Sequence, residues 1–176
     1  PGMHLFVYGK EDSFTTTSAT QKPARQALLA SKTLARLHGL ASDKCLFVKQ
    51  NPDAVEQGVF HNDVIAVANQ NVFLHHELAF QDSAAVATFL ETTMSKPFYK
   101  ILVSSKELSI QEAVQTYLFN SQLVTLKTGK MALIVPLECQ GNRAEDVILK
   151  ILSDDNPIQS HHFVDCRQSM LNGGGP

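Results

Sequence analysis

The sequence lacks most of what would assign a function directly. It has no excess of one charge: 17 acidic and 15 basic side chains leave a formal net charge of -2 over 176 residues. Balanced charge gives no electrostatic footprint for nucleic acid, and no run of Lys and Arg supplies one locally. Polyanion binding is set aside. Long apolar runs are missing as well: Met131 to Leu137 and Val64 to Ala68 are the longest, far below the ~20 residues that cross a bilayer as a helix. Neither a membrane span nor a signal peptide is legible, although Pro1-Gly2 is not a natural start and the true N-terminus is expected to be missing or replaced. Cysteine is scarce. Cys45, Cys139 and Cys166 form an odd set with no CxxC pair, which suits reduced thiols in a cytoplasm better than a disulfide framework.

Catalytic strings are equally sparse. There is no GxSxG element, no H-E-x-x-H and no evident carboxylate pair. Asn172-Gly173-Gly174-Gly175-Pro176 is no phosphate loop, because neither Lys-Ser/Thr nor a helical pattern follows it; it reads as a flexible terminus or a place of close backbone approach. His75-His76 and His161-His162 with Cys166 are the only clusters of metal-ligating types. Adjacent histidines on a strand point to opposite faces and no tetrahedral spacing is present, so no metal is expected. Cys139 and Cys166 lie beside apolar runs, as packed thiols do.

What is present is apolar matter: 44% of residues are hydrophobic and 18% charged. A chain of this size buries roughly 70% of its unfolded surface, so one core suffices, and we expect a single domain over residues 1–176 without an internal boundary. Ser109 and Glu112 make a capping box ahead of Ile110, Ala113, Val114, Tyr117 and Leu118, a helical stripe. Ala144, Val147, Ile148, Ile151 and Leu152 repeat the spacing behind Asn142 and Glu145, and Asn156-Pro157 ends the pattern. A third helix is predicted from Pro23, with Ala30, Leu34 and Leu37 on one face before His38-Gly39, and a fourth after Asp82 through Val86, Phe89 and Leu90.

Short β-branched and aromatic runs lie between: Leu5 to Tyr8, Cys45 to Val48, Val64 to Val67, Val72 to Leu74, Tyr99 to Val103, Leu123 to Leu126, Ala132 to Val135 and Phe163 to Asp165. These read as strands. Three helices begin near residues 23, 84 and 143, a spacing of about 60 that marks a repeat. Each period reads strand, strand, helix, strand. The class is therefore α/β, built from a repeated ββαβ unit, with the Ser109 helix as an insertion.

Two places carry candidate chemistry. His61-Asn62-Asp63 opens the predicted strand Val64 to Val67, where alternation would put His61 and Asp63 on one face. An imidazole moves protons near neutral pH, and a carboxylate holds a guanidinium or amidine through paired charge-assisted bonds. A turn in which Asn62 and Asp63 bond backbone is the plainer alternative. Arg25 falls in the first turn of the predicted helix, where a cation is electrostatically misplaced; either it forms an anion site with the helix N-terminus or it is a solvated surface arginine. Asn69-Gln70-Asn71 reads as a hairpin turn.

Taken as strings, Gly58-Val-Phe-His61-Asn-Asp63-Val-Ile-Ala-Val-Ala-Asn-Gln-Asn71, Pro23-Ala-Arg25-Gln and Arg167-Gln-Ser-Met-Leu-Asn172-Gly-Gly-Gly-Pro176 closely resemble the N-succinylarginine dihydrolase family. The resemblance runs from about Leu5 to Pro176 and is to the C-terminal half of such enzymes. It implies a guanidine-modifying pentein, an α/β propeller of five ββαβ units, about three of them in this chain. It implies further that succinylarginine and two waters become succinylornithine, two ammonia and carbon dioxide, without a cofactor, in arginine catabolism. By the same resemblance His61 would be the catalytic histidine and Asp63 the residue that holds the guanidinium. Arg25 and Asn172 would belong to the substrate site, and the enzyme would be a dimer of identical chains with a small-molecule partner only. The family's nucleophilic cysteine follows a Gly-Gly-Gly-Pro-Ala stretch and its partner glutamate precedes the matched region. None of Cys45, Cys139 or Cys166 matches the motif of that nucleophile, so none is given its role, and the chain, lacking both residues, is expected to be a fragment, inactive alone. Two other readings stand beside this one: an arginine deiminase or amidinotransferase type of enzyme, and a non-catalytic segment that associates through an open strand edge.

Overall fold

The computed structural model describes residues 2–11, 22–94 and 97–173. Pro1 and the Gly174-Gly175-Pro176 end of the glycine run lie outside the described residues. The chain divides into two compact units that interleave in sequence, Pro1–Asn62 with Glu77–Phe98 and Asp63–His76 with Tyr99–Pro176. Among the described residues it is an α/β protein with three small sheets, and no helix there is long and apolar enough to cross a membrane.

In the first unit β1 (His4–Tyr8) and β2 (Cys45–Lys49) pair in parallel from His4↔Cys45 to Tyr8↔Lys49, joined by α1 (Leu28–Leu37). Phe6 and Phe47 stack across the pair at 5.1 Å. Helix α2 (Pro52–Glu56) was not anticipated, yet its signal is local: Asn51 caps it by accepting from the Asp53 N–H, and Pro52 stands where a missing N–H costs nothing. Helix α3 (Ser83–Thr93) starts on the Asp82 carboxylate, which accepts from the Ala85 N–H at 2.8 Å, and buries Val86 and Leu90.

Helix α1 corrects two expectations. It begins at Leu28, not at Pro23, and it buries Ser31 and Ala35 rather than the leucine face. Leu34 and Leu37 remain 48% and 76% exposed. The small residues are the ones that let the helix lie close to β1 and β2, and apolar periodicity alone cannot register a face chosen for closeness.

The second unit holds two sheets of identical order. In one, β3 (Ala66–Asn69) runs antiparallel to β4 (Val72–His76), and β5 (Tyr99–Val103) pairs with β4 in parallel. In the other, β6 (Gln122–Thr125) is antiparallel to β7 (Met131–Pro136), which pairs in parallel with β8 (Ile158–Val164). Between the sheets in sequence lies α4 (Ile110–Thr116), closed by the expected capping box: the Ser109 N–H donates to the Glu112 carboxylate at 2.7 Å and the Glu112 N–H returns to Ser109 Oγ. Helix α5 (Arg143–Ser153) buries Ala144, Val147, Ile148 and Ile151, and Asn142 caps it through the Ala144 N–H. Asn156 closes its far end, giving Nδ2 to Ile151 O and taking the Ile158 N–H on Oδ1.

Strand β8 starts five residues before the predicted Phe163 and leaves Asp165 outside. Its polar residues Ser160, His161 and His162 are recruited by pairing with Ala132, Leu133 and Ile134, which a β-propensity reading passes over. Asp165 instead takes the Arg167 N–H at 3.0 Å at the start of α6 (Arg167–Leu171).

Candidate active site

Arg25 is placed by a close approach. Gly9 follows β1, and a Cβ built there would stand 2.1 Å from Cβ of Ala24. With only hydrogen at that position the two backbones lie side by side: the Gly9 and Lys10 N–H groups donate to Gln26 O at 3.0 and 3.2 Å, and Leu28 N–H to Lys10 O at 2.9 Å. Arg25 therefore sits in backbone ahead of α1, not in its first turn. Arg25 is two residues ahead of Ala27, the N-cap of α1, so its charge does not lie in the first helical turn.

The other neighbour of Arg25 is the segment that carries His61. The Arg25 N–H donates to Phe60 O at 2.8 Å, and the Phe60 ring meets the imidazole of His61 edge-on at 6.5 Å. Buried Gln50 holds this segment from behind, giving Nε2 to Val59 O at 2.6 Å while its own N–H extends the sheet to Tyr8 O at 2.7 Å. Arg25 and His61, far apart in sequence, are thus flanking residues of one hydrogen-bonded frame within the first unit. His61 is half-buried and Arg25 exposed.

Asn62 to Val64 form a 3-10 turn, and β3 starts only at Ala66. Strand alternation therefore does not set the facing of His61 and Asp63. The turn wins because the polar triplet supplies turn-forming side chains immediately before the apolar run. The side-chain oxygen of Asn62 is buried without a hydrogen-bond partner.

Asp63 opens the second unit and lines a hollow of about 320 Å³ with Ala66, Val67, Ala68, Phe119, Asn120 and Ser121. Its walls are fixed. The expected hairpin turn is present, with Gln70 at φ 51°, but Asn69 does more than turn: Nδ2 donates to Leu123 O at 2.9 Å and Thr125 Oγ1 at 3.0 Å, tying β3 to β6. Phe119 packs edge-on against His76 at 6.2 Å, and His76 Nε2 lies 2.9 Å from Leu108 O. Ser121 Oγ donates to Leu118 O. Asn120, which the sequence did not single out, lines the hollow with its side-chain oxygen buried and unpartnered. Its one signal in the sequence is an amide set between Phe119 and Ser121.

Asn172 ends α6 and is exposed, its N–H bonded to Gln168 O and Ser169 O at 3.2 and 3.1 Å. It is not among the residues of the hollow. Just upstream, Arg167 pairs with Asp165 and, chiefly through that bond, holds the carboxyl down at about 2. Of the cysteines, Cys139 packs as expected: it is fully buried, gives Sγ to Thr116 O at 3.2 Å, and burial pushes its thiol up to about 12. A thiol held neutral is no nucleophile. Among the described residues no group of three His, Cys, Asp or Glu side chains is arranged to hold a metal ion. His75 and His76 are both buried, and His75 Nδ1 lies 2.9 Å from His76 O.

The succinylarginine dihydrolase family model matches residues 1–176 without a break. The chain belongs to that family. It is 46% identical over 177 residues to the N-succinylarginine dihydrolase of Shewanella amazonensis, covering 99% of this chain and 40% of that protein. The enzyme of the same name from Shewanella putrefaciens is 47% identical over 177 residues, and that of Aeromonas hydrophila 46% over 178, each with the same coverage. The chain thus spans about 40% of the length of these curated relatives.

Proposed function

We propose that the protein carrying this sequence is an N-succinylarginine dihydrolase, in which succinylarginine and two waters give succinylornithine, two ammonia and carbon dioxide. The observation that carries the proposal is the unbroken family match over residues 1–176, with relatives of that name about 46% identical throughout. The chemistry needs no cofactor. In the proposed reaction a thiolate attacks the guanidinium carbon and displaces ammonia to give a covalent S-amidine adduct, and water cleaves the C–S bond and restores the thiolate. A second such round expels the second ammonia, and the carbamate that remains loses carbon dioxide to give succinylornithine. Asp63 fixes the cation by charge-assisted bonds. His61 protonates each departing ammonia and takes a proton from each incoming water. Arg25 receives the succinyl carboxylate and Asn172 completes the substrate contacts. None of the three cysteines is assigned as the nucleophile.

The same proposal extends to the architecture and setting. The two ββαβ sheets and the strand-helix-strand of the first sheet are read as about three units of a five-unit pentein propeller. Residues 1–176 are read as part of one domain, supported by the way the chain passes repeatedly between the two units. The protein would work in the cytoplasm as a homodimer on a small-molecule substrate, in arginine catabolism.

Arg25 tests the substrate. With the full-length protein, Arg25→Ala should raise KM for succinylarginine at least about 10-fold, the loss of a charge-assisted contact, and leave the poorer KM for free arginine within about twofold. Equal effects on both compounds would remove the succinyl assignment and favour an arginine deiminase or amidinotransferase type of reaction.

A further inference from the structure

His76 ends β4 and is fully buried, in a strand whose other core positions are mostly aliphatic. Its ring has a defined task there. A backbone carbonyl only accepts, so the 2.9 Å approach of Nε2 to Leu108 O puts the ring proton on Nε2 and makes the imidazole the donor. Leu108 is itself 0% exposed. Loss of that donor would leave a carbonyl in the interior short of a partner, and the segment that carries it would have to shift to find another.

Leu108 leads directly to the hollow. It precedes Ser109, the cap of α4, and α4 ends at Tyr117, whose left-handed backbone (φ 56°) turns the chain into the 3-10 stretch Leu118–Asn120. Phe119 in that stretch returns to His76, meeting its ring edge-on at 6.2 Å. One imidazole thus touches the chain just before α4 and just after it. On its other side His76 is tied to the segment of Asp63, giving its backbone N–H to Ile65 O at 2.9 Å. The hollow lies between these two attachments, with Asp63 and Ala66 to Ala68 on one side and Phe119 to Ser121 on the other. In the β3–β4 hairpin Asn69 lies at the turn, opposite Val72, and bridges the two sides there through Leu123 O and Thr125 Oγ1. His76 bridges them at the end nearer Asp63.

From this we infer that His76 is a positioning residue for the substrate site: its Nε2–H bond to Leu108 O fixes the Phe119 wall against Asp63 and sets the width of the hollow in which Asp63 holds the guanidinium, an inference that rests on the proposed role of Asp63. His76 touches no substrate and moves no proton. An aliphatic side chain would fill the space as well; the imidazole adds a donor of fixed direction on a rigid ring. A shift of about 1 Å in a group that positions substrate costs on the order of 100-fold in rate, so a wall held by one buried bond is enough to govern the site.

The test follows succinylornithine formation by the full-length protein over a range of succinylarginine concentrations, at a temperature well below each variant's melting point. His76→Phe keeps a ring in place and removes the donor. It should raise KM about 10-fold and leave kcat within about threefold, because Asp63 holds the cation and His76 takes no part in proton transfer. His76→Gln restores an N–H within reach of Leu108 O and should bring KM back to within about threefold of the parent. Asn142→Ala, which removes the cap of α5 in the same unit, controls for stability: its melting temperature should fall while KM stays level. A KM for His76→Phe within about threefold of the parent, whatever its melting temperature, makes His76 a core residue only and overturns the inference. So does a His76→Gln variant no better than His76→Phe, or an equal rise in KM for Asn142→Ala. Should His76→Phe not fold, Phe119→Leu draws back the wall itself and should raise KM about 10-fold; an unchanged KM there overturns the inference too. Asp63→Asn separates the two readings: a KM raised by Asp63→Asn but not by His76→Phe leaves Asp63 standing and removes His76. No effect of Asp63→Asn, or no turnover by the parent, removes both.

Discussion

Replacing Gly9 by alanine should damage the Arg25 side of the proposed site without touching a charged group. The added Cβ would lie 2.1 Å from Cβ of Ala24, which is 3% exposed and so has no open space to retreat into. Carbon atoms pack at about 3.5–4.0 Å, so the segment carrying Arg25 must move by roughly 1.5 Å. That motion strains the Gly9 and Lys10 bonds to Gln26 O. Overpacking of this kind costs about 1–3 kcal/mol and a lost backbone bond about 1 kcal/mol more, giving a total of about 2–4 kcal/mol. Urea unfolding of Gly9→Ala against the parent measures it. Activity should fall as well, since a misplacement near 1 Å in a positioning group costs on the order of 100-fold, and here the loss should appear in KM for succinylarginine. The control is internal: Ala24→Gly in the Gly9→Ala background removes the opposing atom and should recover most of the stability, so the double mutant is more stable than the sum of the singles. Gly9→Ala within about 0.5 kcal/mol of the parent, or strict additivity with Ala24→Gly, would refute the close-approach argument.

Other expectations follow from the second unit. Ser109→Ala removes the acceptor of the α4 capping box and should cost about 1 kcal/mol, readable as a lower urea midpoint at constant slope. Cys139, with its thiol at about 12 when folded, ionises more readily unfolded, so the unfolded state holds fewer protons above its ordinary pKa and stability should decline as pH rises from about 9 towards 12. Cys139→Ala should flatten that decline, and in the native protein at pH 8 a disulfide reagent should leave one thiol unlabelled until denaturant is added. His75 has its pKa lowered, mainly by burial; the unfolded state then takes up the proton first, and stability should fall as pH drops below about 6.5. His75→Gln should reduce that slope in unfolding measured between pH 7 and 5.

Regular elements were legible where local chemistry decides them. Ser109 with Glu112, Asn142 with the stripe from Ala144 to Ile151, and Asp82 before Val86 each combine a cap with a buried face, and both signals are local in the chain. Errors came where a distant partner decides. The Pro23 region is held as a strap against Gly9 and Lys10 by backbone bonds that only tertiary structure brings about, so α1 begins five residues later than its proline indicated. The polar residues of β8 become strand because β7 is beside them.

The site divides along the same line. Resemblance singled out His61, Asp63, Arg25 and Asn172, whereas residue spacing misjudged two of their settings: Asp63 lies within a 3-10 turn that His61 immediately precedes, rather than on a strand face with it, and Arg25 precedes its helix. Gly9 and Gln50, which position Arg25 and the segment leading to His61, leave no local trace because their role lies in what they approach. Asn120 was hidden for a related reason. An unpaired buried atom is a property of the folded chain, and a sequence records only that an asparagine follows a phenylalanine.

The most direct measurement of the central claim is ammonia release from succinylarginine by the full-length protein, with its His61→Ala variant in parallel and succinylornithine quantified in the same samples. The account predicts two ammonia for each succinylornithine in the parent, and a kcat lowered by at least about 100-fold in the variant, the scale of general acid–base catalysis, with its melting temperature unchanged. A single ammonia per turnover, or a His61→Ala variant that works as fast as the parent, would contradict it.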